Sequence, residues 1–350
     1  MILVTGGAGF IGRAVVRGLV ARGEPVRVVD SLRADVHGTN PARGEPGAEF
    51  LLGDLRDSDT VAAALDGVEA VFHLAAKVGL GVALSDAPDY IASNDLATAE
   101  LLSGMASAGI GRLVLSSSMV VYGEGAYRSS SGTVRPAART VADLDAGRFE
   151  PRGADGESLQ PDLLFEDAAL DPRNVYASSK LAQEHLASAW ARVTGGVAAM
   201  LRYHNVYGPG MPHNTPYAGV ASLFRSALAR GEAPRVFEDG RQRRDFVHVD
   251  DVAGANLAAL DWCTHQGAGT VRSFNIGSGV VHTIGDVASA LCADGSLRPL
   301  ITGEYRLGDV RHITASSERA HLELGWTAGV LFDEGMREFR HAPLRPAAGA

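Results

Sequence analysis

Cysteine and lysine are both scarce in this sequence of 350 residues. The two cysteines, Cys263 and Cys292, lie far apart along the chain, which argues against a disulfide framework and against a metal site. Among the 32 lysine and arginine residues, only Lys77 and Lys180 are lysines. Because arginine fills the other basic positions, we expect these two lysines to lie where a compact point charge is needed.

Long apolar runs and net positive charge are absent as well. No apolar run approaches the roughly 20 residues that span a membrane, and the first residues lack the basic stretch typical of a signal peptide. The formal net charge of −9 argues against nucleic acid as a partner. We therefore expect a globular, cytoplasmic protein in a reduced setting, with no membrane, nucleic-acid or metal partner.

A strand, a glycine turn, a helix and a second strand open the chain. The apolar run 2–4 leads into the glycine-rich segment 5–12, and the second strand, 26–29, ends at an acidic residue. Glycines in such a turn let the backbone approach a pyrophosphate at the helix N-terminus. The acid can accept hydrogen bonds from a ribose 2′-hydroxyl and would repel a 2′-phosphate, which favours NAD over NADP. The candidate cofactor residues of this unit are Gly6, Gly9, Phe10, Ile11, Gly12 and Asp30.

Further apolar runs predict the remaining strands of one parallel sheet. They cover residues 49–52, 71–74, 112–115, 197–201 and 273–277. The fold class predicted is α/β, with a Rossmann-type doubly wound parallel sheet and a smaller, mixed C-terminal substrate-binding domain. Ligands bind beyond the carboxyl ends of such strands, so the loops after them should share one crevice. The candidate cofactor residues of these loops are Asp54, Leu55, Leu74, Ala75, Ala76 and Lys77.

Tyr176 and Lys180 stand four residues apart at the start of a helical pattern. Residues with this spacing project from one helix face about one turn apart. An isolated tyrosine ionises near pH ~10, and an adjacent cation favours the phenolate. The pair therefore predicts a tyrosine that works as a base, the alternative being a chance pair on an exposed helix face.

Eight short motifs are spread over nearly the whole chain. They are T-G-G-A-G-F-I-G at 5–12, G-D-L at 53–55, H-L-A-A at 73–76, S-S-S-x-x-x-Y-G at 116–123, Y-x-x-x-K at 176–180, R-Y-x-N at 202–205, R-D-F-V-H-V at 244–249 and R-x-G-D at 306–309. Together they resemble the extended short-chain dehydrogenase/reductase family, and within it the nucleotide-sugar 4-epimerases. The pattern looks closest to dTDP-L-rhamnose 4-epimerase-like and UDP-sugar 4-epimerase sequences, although a cysteine pair typical of the former is absent here.

The resemblance implies a role for each matched position. Tyr176 would be the catalytic base and would also contact the cofactor, Lys180 would lower its pKa and bind the cofactor ribose, and Ser118 would order the reacting sugar oxygen. Asn94 and Tyr203 would lie at the cofactor, although a helix-surface role for Asn94 stays open. The expected substrate contacts, to the sugar, the diphosphate and the nucleoside, are Val78, Ser118, Asn205, Arg244, Arg306 and Asp309.

The reaction implied is a transient oxidation at C4 of a UDP- or dTDP-linked sugar, with hydride returned to the other face and NAD kept tightly bound. Met119 and Val120 stand where 4,6-dehydratases of the family carry Asp-Glu, which disfavours elimination of water. Two alternatives stay open: an NAD(P)H-dependent 4-keto-sugar reductase, and a non-catalytic dinucleotide-sensing protein on the same fold.

The resemblance and the sequence pattern also suggest an organisation for the chain. Residues 1–201 with 246–278 are expected to bind NAD, and 202–245 with 279–341 the nucleotide sugar. Residues 124–172 show little periodicity and are expected to be an insertion, either a lid over the substrate or a mobile surface loop. We expect a disordered tail at 342–350 and a homodimer. Lys77 is expected to contact the cofactor or an anionic part of the substrate, such as a sugar carboxylate.

Overall fold

The computed structural model describes residues 1–38, 44–79, 84–213, 219–295 and 297–345. Its strands are β1 (Ile2–Thr5), β2 (Val26–Asp30), β3 (Glu49–Leu52), β4 (Ala70–His73), β5 (Arg112–Ser118), β6 (Ala126–Ser129), β7 (Gly132–Val134), β8 (Gln160–Asp162), β9 (Val197–Tyr203), β10 (Asn205–Tyr207), β11 (Arg235–Val236), β12 (Arg243–His248), β13 (Val271–Ile276), β14 (Val281–Thr283) and β15 (Leu300–Ile301). Its α-helices are α1 (Phe10–Ala21), α2 (Ala34–His37), α3 (Ser58–Leu65), α4 (Ala87–Tyr90), α5 (Ala97–Ser107), α6 (Val141–Asp145), α7 (Val175–Thr194), α8 (Val220–Ala229), α9 (Val249–Cys263), α10 (Ile284–Leu291), α11 (Glu318–Leu324) and α12 (Phe332–His341).

Seven parallel strands form the main sheet, in the order β13–β9–β5–β4–β1–β2–β3. All seven correspond to apolar runs from which strands were predicted, so the Rossmann-type α/β fold class is confirmed. The chain runs outward from β1 through β2 to β3, then returns to the other side of β1 for β4 and β5. The carboxyl ends of β1 and β4 therefore form the topological switch point at which doubly wound sheets bind ligands.

Alternate residues of the central strands face two helical layers. In β1, Ile2 and Val4 pack with α1 and α9, whereas Leu3 packs with α3 and α5. Leu3 and Val4 are both fully buried, and each such side chain contributes roughly 1.5–3 kcal/mol to folding. Burial on both faces explains why these strands appear in the sequence as unbroken apolar runs.

The C-terminal elements form a second, smaller core. Strands β10, β12 and β14 make a mixed sheet, β11 pairs with β15, and α8, α10 and α12 pack beside them. Phe246 and Phe339 lie in the centre of this core. A mixed C-terminal unit was predicted, and the domain boundaries given above stay predictions.

Residues 124–172 form a small subdomain. Strand β6 pairs antiparallel with both β7 and β8, and Tyr127 of β6 is fully buried. Ala126 pairs with Asp162, 36 positions further along the chain. Because the pairing joins residues so far apart in sequence, it leaves no local periodicity, and the prediction of an irregular mobile loop is wrong for this segment.

The prediction of a disordered tail is also wrong for residues 342–345. Arg345 accepts a backbone hydrogen bond from His213 at 2.8 Å and donates one to Met211 at 3.0 Å. Its guanidinium Nη1 donates to the carbonyl oxygen of Ala8 at 2.9 Å, so the segment is fastened to the glycine-rich turn. Residues 346–350 lie outside the described part of the chain.

The described helices include none that is long and apolar enough to cross a bilayer.

Candidate active site

The glycine-rich turn leaves the N-terminus of α1 open. Helix α1 begins after Gly9, and within the described part of the chain no side chain caps its first N–H groups. Gly6 has a φ of +67°, and a Cβ on Gly12 would lie 2.2 Å from the Gly6 carbonyl oxygen, so neither position accepts another residue without strain. The uncapped N–H groups of Phe10, Ile11 and Gly12, at the carboxyl end of β1, fit the pyrophosphate of a dinucleotide.

Asp30 closes β2 beside this turn and is 8% exposed. Its carboxylate accepts hydrogen bonds from the backbone N–H of Ala8 at 3.1 Å and of Leu32 at 2.9 Å. Burial raises the pKa of Asp30, but the nearby His37 and these N–H groups together lower it by more. The pKa therefore lies below its ordinary value. The carboxylate therefore stays charged at neutral pH, which suits a ribose hydroxyl and opposes a 2′-phosphate.

Tyr176 and Lys180 lie on the first two turns of α7. Asn174 caps this helix, its Oδ1 accepting from the N–H of Ala177 at 2.8 Å. Burial raises the pKa of Tyr176 to about 12, and a hydrogen bond with Ser118 lowers it only in part. Without a cofactor the phenol is therefore protonated at neutral pH, and its conversion to a base requires additional positive charge nearby.

Lys180 is 3% exposed. Its ammonium donates to Gln183 Oε1 at 2.8 Å and to Ser116 Oγ at 3.5 Å. Burial lowers the pKa of Lys180 to about 7, although Glu184 and Asp95 act in the opposite direction. The ammonium is thus held on the inner side of α7 and is poised between its charged and neutral forms near pH 7.

A buried polar chain connects Lys180 to the first strand. Gln183 Nε2 donates to Thr98 Oγ1 at 2.6 Å, and Thr98 Oγ1 lies 2.8 Å from His73 Nε2. The other ring nitrogen of His73 lies 2.8 Å from Thr5 Oγ1. Burial, with a smaller effect of Lys180, lowers the pKa of His73 to about 3, so the imidazole is neutral and orients its neighbours through hydrogen bonds.

Ser118 hydrogen-bonds to Tyr176 from the end of β5, and Asn205 begins β10 of the C-terminal sheet. Ser118 ends β5, where it pairs in register with Tyr203 of β9. Asn205 Nδ2 donates to the backbone oxygen of Asp245 at 3.0 Å and lies 3.6 Å from Met119 Sδ. Tyr203 is 6% exposed and its hydroxyl donates to Asn256, and its contact with the cofactor stays a prediction.

The loop after β4 is held from both sides. The N–H groups of Leu74 and Ala75 donate to Thr5 Oγ1 at 3.2 and 3.1 Å, and Ala76 follows them. Asn94, fully buried in a π-helical turn over Ile91–Leu96, accepts from the N–H of Lys77 and donates to its carbonyl oxygen. The helix-surface alternative for Asn94 is therefore wrong, because the residue positions this loop.

Lys77 and Val78 follow in the same loop. Lys77 Nζ donates to Asp89 Oδ2 at 2.6 Å and lies 4.8 Å from the centre of the Tyr90 ring. Val78 is 42% exposed. The ammonium of Lys77 is neutralised by Asp89, and its contact with a cofactor or substrate anion stays a prediction.

The loop after β3 matches its prediction less well. The carboxylate of Asp54 is paired with Arg56 Nη2 at 2.6 Å. Leu55 is 5% exposed and lies in the core beneath α3 and α5. Asp54 is thus already partnered, and a contact of its carboxylate with the cofactor, which stays a prediction, would require the Arg56 side chain to share it.

Arginines of the substrate prediction converge on Asp309. Arg244 donates to the backbone oxygens of Arg243, Val310 and Arg311 and forms no ion pair within the described residues. Arg306 lies over the Phe237 ring, 5.1 Å from its centre. Burial raises the pKa of Asp309 above its ordinary value, and the charges of Arg306 and Arg244 lower it in part. Guanidinium groups without a direct carboxylate partner are suited to a diphosphate.

Sequence reasoning missed several residues of this region. Gln183 lies three positions after Lys180, and this i, i+3 spacing is the only local signal that could have identified it. Arg139 of the insertion donates to the Asp309 backbone oxygen at 2.7 Å, across 170 positions of sequence. Arg345, whose buried Nε has no hydrogen-bond partner among the described residues, reaches the glycine-rich turn from the C-terminal segment. Neither arginine has a motif of its own.

Comparisons with known proteins agree with this geometry. The family model described as the NAD dependent epimerase/dehydratase family matches residues 2–141 and 152–277. A dTDP-L-rhamnose 4-epimerase of Burkholderia thailandensis is 35% identical over 347 residues, which cover 97% of this chain and 93% of the relative.

Solved structures give the same result. The Thermus thermophilus UDP-glucose 4-epimerase in complex with NAD superposes with a TM-score of 0.77 at 29% identity, covering 98% of this chain and 99% of the other. MoeE5 in complex with UDP-glucuronic acid and NAD superposes with a TM-score of 0.75 at 31% identity, covering 97% of both chains. The chain therefore belongs to the NAD dependent epimerase/dehydratase family, and its cofactor is NAD.

Proposed function

We propose that this protein is a nucleotide-sugar 4-epimerase that oxidises C4 of a UDP- or dTDP-linked sugar and reduces it again from the other face. The observation that carries the proposal is the position of Tyr176, next to Ser118 and one turn before Lys180, beside an open dinucleotide site. Similarity to a dTDP-L-rhamnose 4-epimerase, and to a UDP-glucose 4-epimerase bound to NAD, supports it.

The chemistry that bound NAD supplies is reversible hydride acceptance at its nicotinamide ring. Tyr176 removes the proton of the sugar hydroxyl at C4, and Ser118 orders that oxygen by a hydrogen bond. Lys180, charged below pH ~7 and close to Tyr176 on α7, stabilises the phenolate when the site is closed to water. Because the same tyrosine returns the proton after the keto sugar has turned over, the reaction has no net redox change.

Arg244 and Arg306 hold the diphosphate, and Asp309 lies towards the nucleoside. Arg244 supports this assignment because its guanidinium donates to backbone oxygens and lacks a carboxylate partner among the described residues. A sugar tethered by its diphosphate can rotate about the bonds to the phosphate while the nucleotide stays bound. This tether is what an epimerase needs in order to present both faces of C4.

The proposal is tested with a panel of UDP- and dTDP-sugars incubated without added cofactor. We expect NMR to reveal the 4-epimer of at least one sugar, and NAD to stay with the protein through purification. Tyr176→Phe should retain NAD and lose turnover. Consumption of NADH or NADPH in step with product would instead identify a 4-keto-sugar reductase, and full turnover by Tyr176→Phe would remove the catalytic assignment.

We also propose that two copies associate through α7 and the segment that carries Asn94. Ile91 and Leu96, each 46% exposed, present apolar surface on that segment. Light scattering should give the mass of a dimer, and Ile91→Arg should lower it; a monomer at micromolar concentration would contradict the proposal.

A further inference from the structure

The insertion 124–172 lies directly against the segment 305–312, which contains the R-x-G-D motif. Contacts occur at four positions along these eight residues. The pairs are Asp145 Oδ1 with Tyr305 Oη at 2.6 Å, Arg139 Nη2 with the Asp309 backbone oxygen at 2.7 Å, Glu124 Oε1 with the Arg311 N–H at 3.2 Å, and Glu150 Oε2 with His312 Nε2 at 2.8 Å. The motif segment is therefore supported along its length by the insertion.

Two glycines allow close backbone–backbone contacts at the ends of the insertion. A Cβ on Gly125 would lie 2.2 Å from the His312 carbonyl oxygen. Gly123 has a φ of +71°, and a Cβ there would lie 2.2 Å from the Asp171 carbonyl oxygen. Backbone atoms cannot give way as side chains do. The insertion thus begins and ends in fixed contacts, which differ from the hinges of a lid.

Arg139 is a largely buried link between the insertion and the motif segment. Its side chain is 7% exposed, and Nη1 donates to Glu238 Oε1 at 2.7 Å. The other oxygen of Glu238 accepts from Arg311 Nη1 at 2.8 Å. Glu238 is 3% exposed and has a φ of +55°, a backbone conformation that non-glycine residues seldom adopt. The two buried ion pairs hold the Glu238 carboxylate between the insertion and the C-terminal unit.

We propose that the insertion is a fixed wall of the nucleotide-sugar pocket, and that Arg139 is a positioning residue for the nucleotide half of the substrate. Arg139 positions the motif segment through its hydrogen bond to the Asp309 backbone and its ion pair with Glu238. This inference rests on the proposed function, because it assigns the motif segment to a nucleoside diphosphate. Its effect should fall on binding and leave the chemistry at Tyr176 unchanged.

The test uses Arg139→Gln and Arg139→Lys in the full-length, NAD-containing protein. The matched control is Arg128→Gln, since Arg128 belongs to the same insertion but is 66% exposed and paired with Asp162. Calorimetry gives the dissociation constants of UDP and dTDP, and steady-state rates give KM and kcat. For Arg139→Gln we expect about tenfold weaker nucleotide binding and a similar rise in KM, with NAD content and kcat near wild type. Arg139→Lys should recover part of the loss, and Arg128→Gln should behave as wild type.

Unchanged nucleotide binding in Arg139→Gln would overturn the inference, as would an equal loss in Arg128→Gln. A fall in kcat and NAD content as large as the rise in KM would also contradict it, because that pattern indicates general loss of structure. If Arg139→Gln fails to fold, the same comparison is made with Arg139→Lys, which keeps the charge but cannot form both bonds. If wild-type protein epimerises no sugar while Arg139→Gln still weakens UDP or dTDP binding, the proposed function fails and the inference stands.

Discussion

Replacement of Lys180 by methionine should make the protein without NAD more stable at neutral pH, although it removes a group to which we assign a role in the proposed reaction. Burial lowers the pKa of Lys180 from 10.5 to about 7. Such a change corresponds to about 5 kcal/mol of unfavourable free energy for the charged form, at roughly 1.4 kcal/mol per pH unit. The unfolded chain binds the lysine proton below pH 10.5 and the folded chain only below about 7. The unfavourable contribution of the buried lysine is therefore absent above pH 10.5 and grows to its full size as the pH falls to about 7. The stability of the folded protein consequently rises with pH across this range.

The measurement is urea unfolding of NAD-free wild type and Lys180→Met at several pH values. Loss of the bond to Gln183 lowers the stability of the variant by a similar amount at every pH. The pH dependence of the difference in unfolding free energy between the two proteins therefore reports the titration of Lys180 alone. Between pH 7 and 9.5 the stability of wild type relative to the variant should rise by about 3 kcal/mol. Lys77→Met, which removes the only other lysine, is the control for loss of a lysine outside this buried network. A difference between wild type and Lys180→Met that is flat or falls with pH would refute the reasoning.

Other substitutions separate the parts of the site. Tyr176→Phe should lower kcat by about 10²–10⁴ with NAD content unchanged, and absorbance of the released cofactor checks the latter; loss of NAD together with activity would contradict a purely catalytic role. Asp30→Ala should weaken NAD and strengthen NADP binding, changing their ratio by about tenfold in titration calorimetry, and an unchanged ratio would remove Asp30 as the selecting group. Arg244→Met should raise KM for the nucleotide sugar far more than it lowers kcat, because its contacts lie away from the reacting carbon; an equal fall in kcat would place it in the chemistry.

Local signals in the sequence identified the elements that lie close together along the chain. The central strands of the main sheet are buried on both faces, so each appears as an apolar run. The spacing of Gly6, Gly9 and Gly12 is fixed because the backbone of Gly12 lies against that of Gly6. Tyr176 and Lys180 share one helix face. These features depend on neighbours within a few residues, which is why they could be predicted.

Features that depend on distant contacts could not be predicted in the same way. Arg139 donates to the Asp309 backbone from a segment without periodicity, and Glu238, which has a positive φ, pairs with two arginines that are distant in sequence. The pKa of Tyr176 also differs from the expectation. The sequence suggested that Lys180 would lower this pKa below its ordinary value, whereas burial raises it in the NAD-free protein. Lys180 donates instead to Gln183, whose side chain leads to Thr98 and His73.

The most direct test of the proposed reaction uses a nucleotide sugar that carries deuterium at C4. The protein is incubated with it in ordinary water without added cofactor, and the 4-epimer is examined by NMR and mass spectrometry. Oxidation and return within one closed site predicts that the epimer keeps deuterium at C4 and that no reduced cofactor accumulates. Loss of the deuterium to solvent, or reduced cofactor formed in proportion to product, would contradict the account.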